Sequence, residues 1–214
     1  FLKGDAPRFV ITADAAGMAQ ATEDADHRRL FDVADLVTPD SVGVLWAAKR
    51  KGSPIAGRVS GVDLVEDLSA ELAKIGGSLY LLGAAPGVAA AAAEKLVARH
   101  PGLRIAGVRD GFFRPEDEPA LVAEIAATTP HGLLVAMGIP RQEKFIARHL
   151  DAIRPKVAMG VGGSFDVISG TVKRAPVPVQ KLHLEWVWRT LANPKKIAKA
   201  KWLPVFVLKV LKER

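Results

Sequence analysis

Several polar residues fall where a short apolar run gives way to a turn, and each such junction admits a definite chemistry. Asp40, in Thr38-Pro39-Asp40-Ser41, follows the run Ala34–Val37 and is a carboxylate suited to take a proton from an attacking hydroxyl. Taken alone, an aspartate or serine at that point is more economically read as the N-cap of a following helix, with Asp40 or Ser41 in that role. Thr12-Ala13-Asp14 closes the run Arg8–Ile11 in the same manner. Gly83 and Gly87 bracket a turn whose amides, at the start of a helix, can hold a phosphate oxygen. The pair Gly162-Gly163, followed by Ser164 and Asp166, lets backbone approach a ligand closely before another helix begins.

Two further clusters read either way. In Pro140-Arg141-Gln142-Glu143-Lys144 the amide of Gln142 is suited to a uracil or sugar edge, yet the same residues also make a solvated first helical turn with Glu143 favourably near the dipole. Arg58 and Asp63 around Val59-Ser60-Gly61 form either a surface ion pair or a binding pair.

Other chemistries lack their residues. Gly83 and Gly87 are four apart, which is not the G-x-G-x-x-G spacing of a dinucleotide site, and no acidic partner follows convincingly. There is no G-x-x-x-x-G-K-[ST] loop and no G-x-S-x-G elbow. The five histidines, His27, His100, His131, His149 and His183, are scattered without a ligand set, and there is no Cys, so no metal and no other cofactor is expected. The lack of Cys also fits a reducing, cytoplasmic setting.

Positioning these residues requires a sheet. Short β-branched or leucine-rich runs alternate with longer helical patterns, which predicts βαβ units and a parallel sheet. Strands are expected at Arg8–Thr12, Ala34–Val37, Ser78–Leu82, Arg104–Val108, Gly132–Ala136 and Val157–Val161, several apolar enough to be covered on both faces. Helices are expected at Ser41–Arg50, Val62–Ile75, Pro86–His100, Glu116–Thr128 and Arg141–Leu150, with Pro86 and Pro140 in first turns and Gly76 at a C-terminal cap.

The 214 residues carry a net charge of +7, unevenly spread: the stretch 173–214 holds 11 Lys/Arg against Glu185 and Glu213, while residues 1–172 are slightly acidic. Beyond Lys173 the pattern becomes helical, broken at Pro176, Pro178, Pro194 and Pro204 and rich in tryptophan. Its last segment places Val205, Leu208 and Leu211, or Val207 and Val210, on apolar faces between lysines. No 18-residue uncharged apolar run exists, so neither a spanning helix nor a signal peptide is expected. A basic amphipathic terminus suits an anionic membrane surface, a packed helical pair with solvated lysines, or a nucleic-acid backbone.

Taken in order, Thr38-Pro39-Asp40-Ser41-Val42-Gly43, Arg58-Val59-Ser60-Gly61-Val62-Asp63-Leu64, Leu81-Leu82-Gly83-Ala84-Ala85-Pro86-Gly87, Pro140-Arg141-Gln142-Glu143-Lys144, Gly160-Val161-Gly162-Gly163-Ser164-Phe165-Asp166, Lys173-Arg174-Ala175-Pro176 and Leu184-Glu185-Trp186 closely resemble the WecG/TagA/CpsF glycosyltransferase family, glycosyltransferase family 26. The resemblance implies an α/β, Rossmann-like parallel sheet flanked by helices, with a UDP-sugar-binding catalytic domain over 1–172 and a basic helical C-terminal appendage over 173–214 that docks on the membrane and closes the site. It implies an inverting enzyme that moves a sugar, of N-acetylmannosamine type, from a UDP-sugar to an undecaprenyl-diphosphate-linked acceptor in bacterial cell-surface polysaccharide or teichoic acid synthesis. Such an enzyme would sit peripherally on the inner face of the cell membrane.

By the same resemblance, Asp40 and Thr12 are catalytic, with Ser41 standing where the family usually has glycine. Asp14 replaces the usual asparagine, which removes an amide donor near the sugar. Asp14, Ser41, Arg58, Asp63, Gly83, Gln142, Gly162, Gly163, Ser164 and Asp166 are expected to line the substrate site. Arg189, Lys196 and Lys199 are expected to hold the diphosphate, the two lysines lacking the bidentate fork of the arginines often found there. A strand and helix that usually precede Phe9 in the family are expected to be absent, and the sheet edge so exposed favours oligomer formation. The alternatives are a member using another UDP-hexose or a uronic acid for capsule or exopolysaccharide, a member that binds UDP-sugars without turnover, and a nucleic-acid-binding module.

Overall fold

A computed structural model describes residues 1–176, 179 and 201–212. Six strands form one sheet: β1 (Arg8–Ala13), β2 (Leu36–Pro39), β3 (Ser78–Gly83), β4 (Arg104–Arg109), β5 (Gly132–Ala136) and β6 (Val157–Gly160). Their order is β2-β1-β6-β5-β3-β4 and every pairing is parallel. All six expected strands are present, each boundary within two residues of the sequence reading. β3, β5 and β6 are buried along their whole length, which explains their unbroken apolar sequence.

Helices cover both faces. Alternation along β1 sends Val10 to one side and Phe9 and Ile11 to the other. On the first face Val10, Leu81, Leu134 and Met159 pack against α4 (Gly61–Lys74), α5 (Val88–Arg99) and α8 (Ser164–Ile168) through Val65, Leu72, Ala92, Leu96 and Phe165. On the second, Phe9, Ile11, Leu82, Leu133 and Val135 meet α2 (Ala25–Val33), α6 (Glu118–Ala127) and α7 (Arg141–Ile153). Two helices without an explicit expectation, α1 (Ala15–Ala21) and α2, fill the β1–β2 connection, and α3 (Val42–Arg50) follows β2.

One expected helix start is corrected. Gly87 adopts φ +80, a left-handed conformation that a helix cannot contain, so α5 begins at Val88 and Pro86 lies before it. α7 begins at Arg141 as expected, with Pro140 one residue ahead of it rather than in its first turn. Gly76 does follow the end of α4, at φ +62, as a C-terminal glycine should.

The last described helix, α9 (Trp202–Lys212), packs on α1. Its buried stripe is Phe206 and Val210, flanked by Trp202, Leu203 and Val205, whereas Val207, Leu208 and Leu211 face outward. Neither expected apolar face is the buried one in full. The seat decides this: Ala15, Ala19 and Ala47 leave a shallow hollow, and the ring of Phe206 lies 3.4 Å from where a side chain at Gly43 would start. Among the described residues no helix is long and apolar enough to cross a membrane.

Candidate active site at the carboxyl ends of the first two strands

In open parallel sheets ligands bind beyond the carboxyl ends of the strands. The final rung of the β1–β2 pair is Ala13 opposite Pro39, and the Asp40 amide then donates to the Ala13 carbonyl at 2.8 Å, so the ladder carries Asp40 just past the sheet. Thr12 and Thr38 are in register. Period-two alternation puts both, and Asp40 two residues further on, on the face covered by α4, α5 and α8.

Gly61, the first residue of α4, marks where these groups meet. A β-carbon there would stand 3.5 Å from Asp40 Oδ2, 3.4 Å from Ser164 Oγ and 3.8 Å from Thr12 Cγ2. Residues from β1, β2 and the beginnings of α4 and α8 thus surround a position that carries no side chain. The loop before α4 is tied to the same edge, since the Val59 amide donates to Pro39 O at 2.9 Å. Asp40 is half-buried, and Thr12 and Ser164 are buried. The Thr12 hydroxyl donates to Gly160 O at 2.8 Å, and Ser164 Oγ donates to Val161 O at 2.7 Å, so both hydroxyls are oriented and keep lone pairs to accept with.

The glycine pair is held from the opposite face. Gln142 and Glu143, at the start of α7, are each only 1% exposed, which excludes the solvated first turn weighed from sequence. Gln142 Oε1 accepts from the amides of Gly138 and Gly162, both at 3.1 Å, and its Nε2 donates to Glu143 Oε1 at 2.8 Å. Any side chain at Gly160 would collide with this amide, 2.7 Å away. Gln142 therefore clasps the β5–α7 and β6–α8 loops together and fixes Gly162, which takes φ +50, and Gly163, which precedes α8. Asp166 is half-buried on α8, and its carbonyl accepts from Val172 N at 2.8 Å, turning the chain out of the helix.

The other expected site residues also have structural partners or places in the fold. Asp14 caps α1, accepting from Gly17 N at 2.6 Å, and Ser41 caps α3 while also accepting from Ala15 N at 3.1 Å. Ser41, not Asp40, is thus the cap, and the carboxylate of residue 40 is released from that duty. Asp63 pairs with Arg174, whose guanidinium lies 2.7 Å and 2.9 Å from its two oxygens. Arg58 is half-buried in the loop entering α4. Gly83 lies four strand positions along the sheet from β2, roughly 19 Å at the usual spacing. It serves packing: a β-carbon there would lie 2.4 Å from Ala136 O. Arg189, Lys196 and Lys199 lie outside the described residues.

Residue-type reasoning did not single out Ser60 and Gly61 as lining the site. The available signal was a serine-glycine pair directly before a strongly periodic helix. A separate groove of 270 Å³ on the α7 face is lined by Glu118, Met137, Phe145 and three cations, but Lys144 is paired with Asp24, Arg148 with Glu118, and Arg141 stacks on Phe113. Among the described residues no group of carboxylates and histidines is arranged to hold a metal.

Comparison with known proteins adds the following. Residues 1–214 match the profile described as Glycosyl transferase WecG/TagA/CpsF family. A Bacillus spizizenii protein named N-acetylglucosaminyldiphosphoundecaprenol N-acetyl-beta-D-mannosaminyltransferase is 37% identical over 204 residues, 95% of this chain and 79% of the relative. Proteins of the same name from Bacillus subtilis and Staphylococcus aureus are 33% and 34% identical, covering 90% and 96% of this chain and 75% and 80% of theirs.

Proposed function

The chain belongs to the WecG/TagA/CpsF glycosyltransferase family, and from that premise we propose that it transfers N-acetylmannosamine from a UDP-sugar to N-acetylglucosamine carried on undecaprenyl diphosphate. The observation that carries this reading is the convergence at Gly61, where the carboxylate of Asp40 stands beside Thr12 and Ser164 at the tip of the sheet.

Inverting transfer needs one base and one site for a departing anion. In the proposed step Asp40 takes the proton of the acceptor hydroxyl as that oxygen bonds to the anomeric carbon. The bond from that carbon to the UDP oxygen breaks, and UDP leaves with the electron pair. Thr12 and Ser164 accept hydrogen bonds from the sugars, and the exposed backbone at Gly162 and Gly163 lies against the nucleotide. Arg189, Lys196 and Lys199 neutralise the diphosphate. No metal is assigned to this step.

The stretch 173–214 acts as an appendage to the catalytic domain 1–172. Its last helix presents Val207, Leu208 and Leu211 outward beside Lys201 and Lys212, an apolar and basic surface suited to anionic lipid. The lipid-linked acceptor would be met there, with the protein peripheral to the membrane. Family membership gives no support to the nucleic-acid alternative.

Asp40→Asn tests the base. Transfer to a short-chain lipid-diphosphate acceptor is expected to fall about 10²- to 10⁴-fold, with UDP binding by calorimetry unchanged. Undiminished turnover in that variant would remove Asp40 from the mechanism.

A further inference from the structure

The start of α4 is left open by both residues able to close it. Ser60 occupies the N-cap position with extended backbone, φ −72 and ψ 133, where a serine ordinarily accepts from an amide of the first turn. It makes no such bond. Asp63, the acid in the first turn, is held by Arg174 instead. Among the described residues, neither Ser60 nor Asp63 therefore caps the leading amides of this 14-residue helix, at the end where its dipole is positive.

The second observation is the Ser60 hydroxyl itself. Ser60 is only 3% exposed, and its Oγ has no hydrogen-bond partner. Burying a hydroxyl unpaired works against folding, and alanine at this position would avoid that penalty. Ser60 directly precedes Gly61, the residue beside Asp40 and Ser164, so this unmet group belongs to the helix start that borders the carboxylate.

We propose that Ser60 and the open amides of α4 bind the acetamido carbonyl of a sugar substrate, making Ser60 a specificity residue. The inference rests on the glycosyl-transfer reading and goes beyond it by assigning the group that recognises the N-acetyl substituent. Donors converging on a helix start call for an acceptor atom. A hydroxyl and backbone amides are neutral donors, and a neutral carbonyl oxygen is a ligand that fits them. A site built to donate to an oxygen rejects analogues that lack it, because its own polar groups then stay unpaired. Both the donor and the acceptor sugar of the proposed reaction carry an acetamido group, so the test has an arm for each.

Ser60→Ala, with Ser60→Gly as a second variant tolerated at an N-cap, is compared with the wild type on UDP-N-acetylmannosamine against UDP-mannose, and on lipid-diphosphate N-acetylglucosamine against lipid-diphosphate glucose. In one arm the preference for the acetamido sugar is expected to fall about tenfold through a higher KM, while the melting temperature holds or rises. The arm that changes identifies which sugar is bound. Three results overturn the proposal: an unchanged preference in both arms, an equal loss on acetamido and plain sugars, or a lowered melting temperature in both variants, which would make the hydroxyl structural. A wild-type protein inert with every donor would instead overturn the transfer reading beneath it.

Discussion

At the scale of single residues, the site is defined as much by missing side chains as by present ones. Gly61 leaves room between Asp40, Thr12 and Ser164, and Gly160 leaves room for the clasping amide of Gln142. Gly83 combines φ +122 with carbonyl and amide atoms of Ala136 within 3 Å of any β-carbon, so its requirement is doubly backbone-based. Gly83→Ala is expected to cost about 2–4 kcal/mol, from a strained conformation and a forced separation of β3 from β5. Urea denaturation measures it, and a loss below about 0.5 kcal/mol, the usual range for a surface change, would show that the strands part easily. The sequence reading expected Gly83 at a substrate site because it stands at a strand-to-helix turn. The backbone requirement added by the neighbouring strand at Ala136 is one that sequence does not reveal.

At the scale of elements, α2 and α7 are locked together by an ion pair and a buried ring. Lys144 on α7 lies 2.9 Å from Asp24, which caps α2 by accepting from His27 N. The His27 amide, and then Lys144, hold the Asp24 carboxyl below its ordinary 3.8. Burial holds the His27 imidazole below its ordinary 6.5, with Lys144 acting the same way and the carboxylates of Asp24 and Asp14 opposing. The unfolded chain therefore takes up this proton before the native one does. Stability is intact above about pH 6.5 and declines as the pH falls below it, whereas Asp24 contributes only at more acid pH. The melting temperature is expected to drop between pH 7 and pH 5, and His27→Phe should flatten that slope. An identical slope in the variant would assign the titration to other groups. Of the helices here, α7 was located from sequence while α2, like α1, was not, because seven- and nine-residue helices show too few turns for their periodicity to register.

At the scale of the whole molecule, charge is unevenly spread along the chain. Residues 1–172 carry a slight negative excess and the stretch from Lys173 onward a net +9, so the proposed attraction to anionic lipid, worth about 1 kcal/mol per nearby Lys or Arg, would draw chiefly on that stretch. The sequence placed an amphipathic helix there and left two overlapping apolar faces open, because Val205, Leu208 and Leu211 satisfy helical spacing as well as Phe206 and Val210 do; the seat on α1 selected Phe206 and Val210. Leu208 is 55% exposed, so Leu208→Asp should leave folding untouched. It is expected to reduce sedimentation with phosphatidylglycerol vesicles severalfold at physiological salt, and raised salt should weaken the wild type as well. Equal sedimentation of variant and wild type would place the membrane contact elsewhere.

The strand pattern and the parallel sheet were legible in the linear chain because they rest on local rules of alternation and turn residues, and the family was legible from a motif order that survives without coordinates. Only the three-dimensional structure decided that Ser41 also accepts from Ala15 N, that Gln142 is spent on the amide of Gly162 as well as that of Gly138, and that Gly61 borders the Asp40 carboxylate. The Ser41–Ala15, Gln142–Gly162 and Gly61–Asp40 relations join residues about 20 or more apart in the chain, brought together by the parallel sheet. Hydrogen-bond competition at close range depends on which partners arrive, and no spacing rule encodes that.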